Sequence, residues 1–294
     1  MVVEKSKLAA ATRLFSAAVF HQMAQKGKSP IFARLVKEIG RERLCSAVSV
    51  SDAFDAALQS ITVPGSRSEY VYKNAIAKKI LLGRHSLRTA AMLTEVRVEG
   101  SKADVVVLNG TSTVYEIKSE RDSLKRLPNQ LDSYLRAFAS VNVITSEAHL
   151  DCTLDIAPSE VGLLVLNRQG KISQIRDAVD CPERINPATL FETLRIQEAC
   201  QVLSGLGVAV PQVPNTERFG VVQELFERQK PVELHEGVIA VLRQSRTQLG
   251  LQKFLSNLPY SLQAAALSTP IRKGDQDRLI AAVETPLVEA EHWA

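Results

Sequence analysis

Two strand-forming runs joined by a tight turn constrain this chain more than any other feature. Val105-Val106-Val107-Leu108 and Val114-Tyr115-Glu116-Ile117-Lys118 are β-branched or aromatic, and Asn109-Gly110 between them signals a turn between antiparallel strands. Alternation puts Tyr115 and Ile117 on one face of the second strand and Val114, Glu116 and Lys118 on the other. An acid and a base therefore point the same way from a strand whose other face is apolar. Asp104, at the start of the preceding strand, comes near them across the hairpin. Such carboxylates suit a divalent cation with an ammonium beside it, a common arrangement for cutting phosphate diesters. The plainer reading is the solvent face of a half-buried hairpin, with Lys118 an exposed strand residue.

The surroundings read as a compact unit. Leu93 to Val98 is a first strand, and Gly100-Ser101 turns into the Asp104 strand. After Lys118 comes a helix with apolar positions at Leu124, Leu127, Leu131, Tyr134, Leu135 and Phe138, starting or bending at Pro128. Gln130 borders its packing face and needs a polar partner there. Val141 to Ile144 is a strand, and Val161 to Leu166 with Lys171 to Ile175 reads as a further hairpin. Before the first strand, Tyr72, Ile76 and Ile80 are four apart, which predicts a helix over 67–82. Glu69 at its start either completes a capping box with Ser66, pairs with Lys73 at i+4, or serves as a third acid of the site.

Helices are expected on both sides of this unit. In 1–60, Leu8, Leu14, Phe15, Val19 and Phe20, then Phe32, Leu35, Val36 and Ile39, recur at helical spacing, with Ser29 as cap and Pro30 as first helical residue. From Asn186-Pro187 onward the pattern is helical near 187–204, 216–229, 232–247, 251–267 and 275–284, with Asn215 a candidate cap. Arg243, Arg246, Arg272, Lys273 and Arg278 form either a partner surface or a solvated helix face. The expected division is 1–61, 62–178 and 179–294.

No apolar stretch approaches the roughly 20 residues that span a bilayer, and the N-terminus lacks the order of a signal peptide. Cys45, Cys152, Cys181 and Cys200 are scattered without metal-ligand spacing, as expected for reduced thiols of a cytoplasmic protein. The net charge of +4 is compatible with nucleic acid but does not require it.

Glu69, Asp104, the triplet Glu116-Ile117-Lys118 and Gln130 together resemble the PD-(D/E)xK, or restriction-endonuclease-like, phosphodiesterase superfamily. The phrases EYVYKNAIAKK, SKADVVVLNGTSTVYEIKSE and RLPNQLDSY resemble a bacterial and prophage-borne branch of it. The likeness covers about residues 66–145, with its outer limit at 178, and Ala103 stands where the superfamily's name has proline. The resemblance implies an α/β fold with an αβββαβ core between helical flanks. It implies Mg²⁺ or Mn²⁺ on Asp104, Glu116 and the Ile117 carbonyl, with Glu69 at a second metal or a metal-held water. Lys118 would orient or deprotonate the attacking water, and Gln130 would steady Lys118 or the phosphate. The implied activity is that of a bacterial Mg²⁺-dependent deoxyribonuclease acting in DNA repair or in defence against phage or plasmids. The flanking helices offer surfaces for a homodimer or a protein partner. A non-catalytic adaptor or regulator, binding nucleic acid or protein through those helices, is the competing expectation.

Overall fold

Caps and prolines set the first helices. The structure, a computed structural model, describes residues 2–44, 47–83 and 87–294. Cys45 lies outside the described residues, and Cys152, Cys181 and Cys200 are free thiols. The chain forms two units by contact: Met1–Ile80 with Ser119–Arg121 and Leu249–Ala294, and Leu81–Lys118 with Asp122–Gln248. The expected segments 1–61, 62–178 and 179–294 do not share these boundaries. No helix among the described residues is long and apolar enough to cross a membrane.

The first unit begins with α1 (Val2–Leu14), α2 (Ala17–Lys26), α3 (Pro30–Ile39), α4 (Val50–Ile61) and α5 (Glu69–Ile76). Ser29 Oγ accepts the Phe32 N–H at 3.1 Å, with Pro30 opening α3, as the sequence predicts. Gly27 ends α2 in the left-handed region at φ 70°, where a side chain would be strained. Phe20, Phe32, Leu35, Ile39 and Phe54 are buried, each contributing about 1.5–3 kcal/mol by leaving water. The expected Ser66 capping box is absent: α5 starts at Glu69 with Ser68 as its cap, and neither serine caps it by side chain. Helical structure continues past α5 as a π-helical stretch, Ala77–Leu82.

The second unit is a mixed α/β arrangement around a six-stranded sheet in the order β1-β2-β3-β4-β5-β6. The strands are β1 (Ala91–Val98), β2 (Ser101–Leu108), β3 (Ser112–Lys118), β4 (Ser140–Thr145), β5 (Gly162–Leu166) and β6 (Ile172–Arg176). Strands β1, β2 and β3 are antiparallel, β3, β4 and β5 are parallel, and β6 is antiparallel to β5. The crossover from β3 to β4 carries α6 (Leu127–Ala137), as a parallel pair requires. Leu108 pairs with Ser112, so Asn109-Gly110-Thr111 form the hairpin loop, with Gly110 at φ 102°.

Four further helices belong to this unit beside the short α7 (Leu150–Ile156): α8 (Pro187–Glu192), α9 (Ile196–Gly205), α10 (Asn215–Glu227) and α11 (Pro231–Ser245). The expected single segment 187–204 is thus two helices, and Asn215 is the first helical residue after the Pro214 cap. Asn186 does cap α8, accepting the Thr189 N–H at 3.1 Å. Leu190, Phe191, Val202, Phe226, Leu234 and Val238 join Val106, Val114, Val141, Leu163, Leu131 and Tyr134 in one apolar cluster. The sheet and α6 therefore need these later helices to bury their apolar face. His235 of α11 is 4% exposed, and its Nε2 accepts the Ser112 N–H at 3.2 Å. Burial pushes its imidazole below its ordinary value against the pull of Asp180, Glu236 and Glu183.

The chain returns to the first unit with α12 (Gln252–Ser256), α13 (Gln263–Ser268), α14 (Lys273–Glu284) and α15 (Leu287–Ala290), so the expected segment 251–267 is also divided. There α14 packs on α2 and α13 on α5. The basic residues of the C-terminal region do not form one solvated face. Arg246 pairs with buried Glu198 at 2.6 Å, Arg243 donates to the Arg88 carbonyl, and Arg278 binds Asp275 and the Gln25 carbonyl.

Candidate functional site

Strand β3 lies between β2 and β4, and both of its faces are buried from Val114 to Lys118. Glu116 is 2% exposed and Lys118 5%. The expectation of an exposed Lys118 is therefore corrected: α6 covers the polar face that alternation defines. A charge so placed must be paired or hydrogen-bonded, and these are both. Lys118 Nζ lies 2.7 Å from Glu116 Oε1 and donates to Gln130 Oε1 at 2.8 Å. Gln130 Nε2 donates to Glu116 Oε1 at 2.6 Å, closing a three-residue ring of hydrogen bonds. The Tyr134 hydroxyl, one helical turn beyond Gln130, donates to Glu116 Oε2 at 2.9 Å. Gln130 finds here the polar partners its position demanded.

Asp104 is held by the end of a strand ladder. Pairing of β2 with β3 runs from Leu108↔Ser112 to Val105↔Tyr115, a register that sets Asp104 opposite Glu116. There Asp104 Oδ2 takes the Ile117 N–H at 2.8 Å. The β1–β2 ladder is interrupted at the same level, between Thr94↔Val105 and Val96↔Ala103. Glu95 stands at the gap with φ 58°, a left-handed conformation rare for a residue with a Cβ. One of its carboxylate oxygens lies within 4.8 Å of one from Asp104, and it pairs with Lys102. Glu116 belongs to no cluster of three such carboxylates among the described residues.

Asp104, Glu116, Ile117, Lys118 and Gln130 thus all lie in the sheet unit. Glu69 lies in the other unit, at the start of α5, where its Oε1 meets Lys73 Nζ at 2.6 Å. The i+4 ion pair expected from sequence is therefore present. Two residues were missed. Tyr134 was read only as an apolar position, although its spacing of four from Gln130 marks a shared helix face. Glu95 would follow from the register once Glu99-Gly100 is recognised as the β1–β2 loop.

That loop is itself fastened. Glu99, at φ 51°, accepts from Arg136 Nη2 at 2.6 Å, Ser133 Oγ at 2.9 Å and Thr189 Oγ1 at 3.0 Å. The Arg136 guanidinium holds its carboxyl down at about 2. The strand bearing Glu95 is so tied to α6, which bears Gln130 and Tyr134.

Fold and site define a mixed α/β protein with a buried acid–lysine–glutamine cluster beneath the crossover helix of its sheet. The chain belongs to the family described as Bacteriophage P4 protein cII, whose family model matches residues 64–266, more than half of the sequence. No curated protein and no solved structure matches it.

Proposed function

We propose that the sheet unit is a metal-dependent phosphodiesterase acting on DNA, with β1-β2-β3-α6-β4 as a restriction-endonuclease-like core. The observation that carries the reading is the ring that buried Glu116 and Lys118 of β3 form with Gln130 of α6, with Asp104 opposite. A surface charge pair has no need of such enclosure.

The donors fit a hard dication such as Mg²⁺ or Mn²⁺. Asp104 and Glu95 offer carboxylate oxygens within 4.8 Å of each other. Glu116 uses three of its roughly four acceptor positions on Lys118, Gln130 and Tyr134, leaving one. Asp104, Glu116 and the Ile117 carbonyl would hold the metal, and Glu95 is added to them. The dication would supply Lewis acidity toward the phosphate. Lys118 spends two of its three donors on Glu116 and Gln130, so the third is available to a water or a phosphate oxygen. Its ammonium offsets the negative charge that builds on the phosphoryl oxygens. Gln130 sets the direction of that ammonium, and Tyr134 fixes the plane of Glu116. DNA repair and defence against phage or plasmids are the settings that suit this chemistry.

One observation favours a non-catalytic adaptor or regulator instead: both charged groups of the cluster already have partners within it, as in a structural polar core. Incubation of the purified protein with plasmid, linear, single-stranded and branched DNA under Mg²⁺ and Mn²⁺ decides between them. Cleavage of at least one form by wild type, absent from Lys118→Ala, is expected. Inertness on every form with either metal leaves the adaptor.

A further inference from the structure

We infer that Arg126 contacts the DNA backbone beside the Glu116–Lys118 cluster, gripping a phosphate next to the bond to be cut; this rests on the phosphodiesterase reading above. Arg126, Gln130 and Tyr134 are spaced by four along α6 and its cap. Arg126 has helical backbone angles (φ −88°, ψ −12°), so the i, i+4 relation holds from the cap onward. The three residues form one stripe graded in depth: Arg126 is exposed, Gln130 half-buried and Tyr134 fully buried. The inner two both donate to Glu116. The stripe therefore leads from solvent to the carboxylate of the candidate site, and Arg126 is its outer end. Its Cα stands about 6 Å along the helix axis from that of Gln130, a step comparable to that between neighbouring phosphates of a strand.

The charge of Arg126 is also uncommitted. Among the described residues Arg126 has no hydrogen bond or ion pair from its side chain, whereas Arg136, Arg228 and Arg246 each hold a carboxylate. From Ser123 to Gln130 the chain carries Lys125 and Arg126 and no acid. An unpaired guanidinium presents a planar fork that takes two phosphate oxygens at once. Contacts of this kind position a duplex or single strand without reading its sequence, and their contribution falls as salt rises.

The test measures binding of fluorescently labelled DNA, of whichever form wild type binds, by anisotropy in Ca²⁺ from about 50 to 200 mM salt. For Arg126→Ala we expect Kd to rise about tenfold at the low-salt end and the slope of log K against log salt to shrink by about one. Arg126→Lys should keep the slope, and Arg228→Ala should match wild type in both. In cleavage assays Arg126→Ala should raise KM and spare kcat. Urea midpoints of all variants should agree, since Arg126 is exposed and its side chain holds no hydrogen bond or ion pair. If Arg126→Ala binds with wild-type Kd and slope, the inference falls while the phosphodiesterase reading stands. If wild type binds no form of DNA, both fall.

Discussion

The Tyr134 hydroxyl donates to Glu116 Oε2 over 2.9 Å, from a side chain with no solvent exposure. Burial holds the phenol far above its ordinary value, and the charge of Glu116 adds to the shift. It therefore remains a donor wherever the protein is folded. Through this bond a helix is fixed to the centre of a sheet by an acid that alternation alone would leave on a surface.

Tyr134→Phe keeps the ring and removes only that donor. A buried acceptor bonded to a charged partner then loses one bond, for which a loss of about 1.5–3 kcal/mol in urea denaturation is expected. An unchanged midpoint would mean that Glu116 finds another donor.

Lys118→Ala strands Glu116 without its cation. Removing one partner of a buried pair costs about 3–5 kcal/mol, far more than an exposed strand lysine would. The double variant Lys118→Met with Glu116→Gln should regain most of this, because no buried charge is left uncompensated. Chemical denaturation in EDTA reads both values; similar instability in single and double variants would show that packing, not charge, is at stake.

Asp104→Asn can still accept the Ile117 N–H through its amide oxygen, so the β2–β3 junction should hold. Fewer charged oxygens weaken a hard-cation site, and Mn²⁺ affinity in calorimetric titration should drop by at least about tenfold. Glu95→Gln should weaken it too. Equal Mn²⁺ binding by wild type and both variants would remove the metal from this site.

Acid should loosen the helices behind the sheet through Glu198. Burial alone would raise its carboxyl, but Arg246, the Arg195 N–H and Ser245 outweigh that and bring it to about 2 from an ordinary 4.5. A depressed acid contributes stability that is full above the ordinary value and is lost as pH falls through the folded one. Stability should therefore decline between about pH 4.5 and 2. Glu198→Gln should lower stability at neutral pH and flatten that decline; an unchanged acid limb would place the sensitivity elsewhere.

Local chemistry was legible wherever one residue's geometry decides it. Ser29-Pro30 and Asn186-Pro187 start helices because a side-chain oxygen meets an orphan N–H and proline's fixed backbone fits the first turn. Asn109-Gly110 turns the chain because glycine accepts φ 102°. Alternation correctly put Glu116 and Lys118 on one face, and helical spacing correctly put Gln130 on the packing side of α6. The Ser66 cap is not formed because two serines, Ser66 and Ser68, precede Glu69 and sequence does not say where the backbone turns helical.

Burial was not legible. Lys118 and Glu116 read equally well as a solvated pair, since alternation defines faces but not what covers them. Their enclosure depends on β4 joining β3 in parallel and on α6 crossing above, contacts made between residues far apart in the chain. The same holds for Glu198 and Arg246, and for His235 under the β2–β3 loop. By itself the sequence determined which elements form and which way their polar residues point, because periodicity and capping act within a few residues. Only the tertiary structure decided which of those residues lose water and must satisfy one another, because desolvation is set by whichever distant element packs above them.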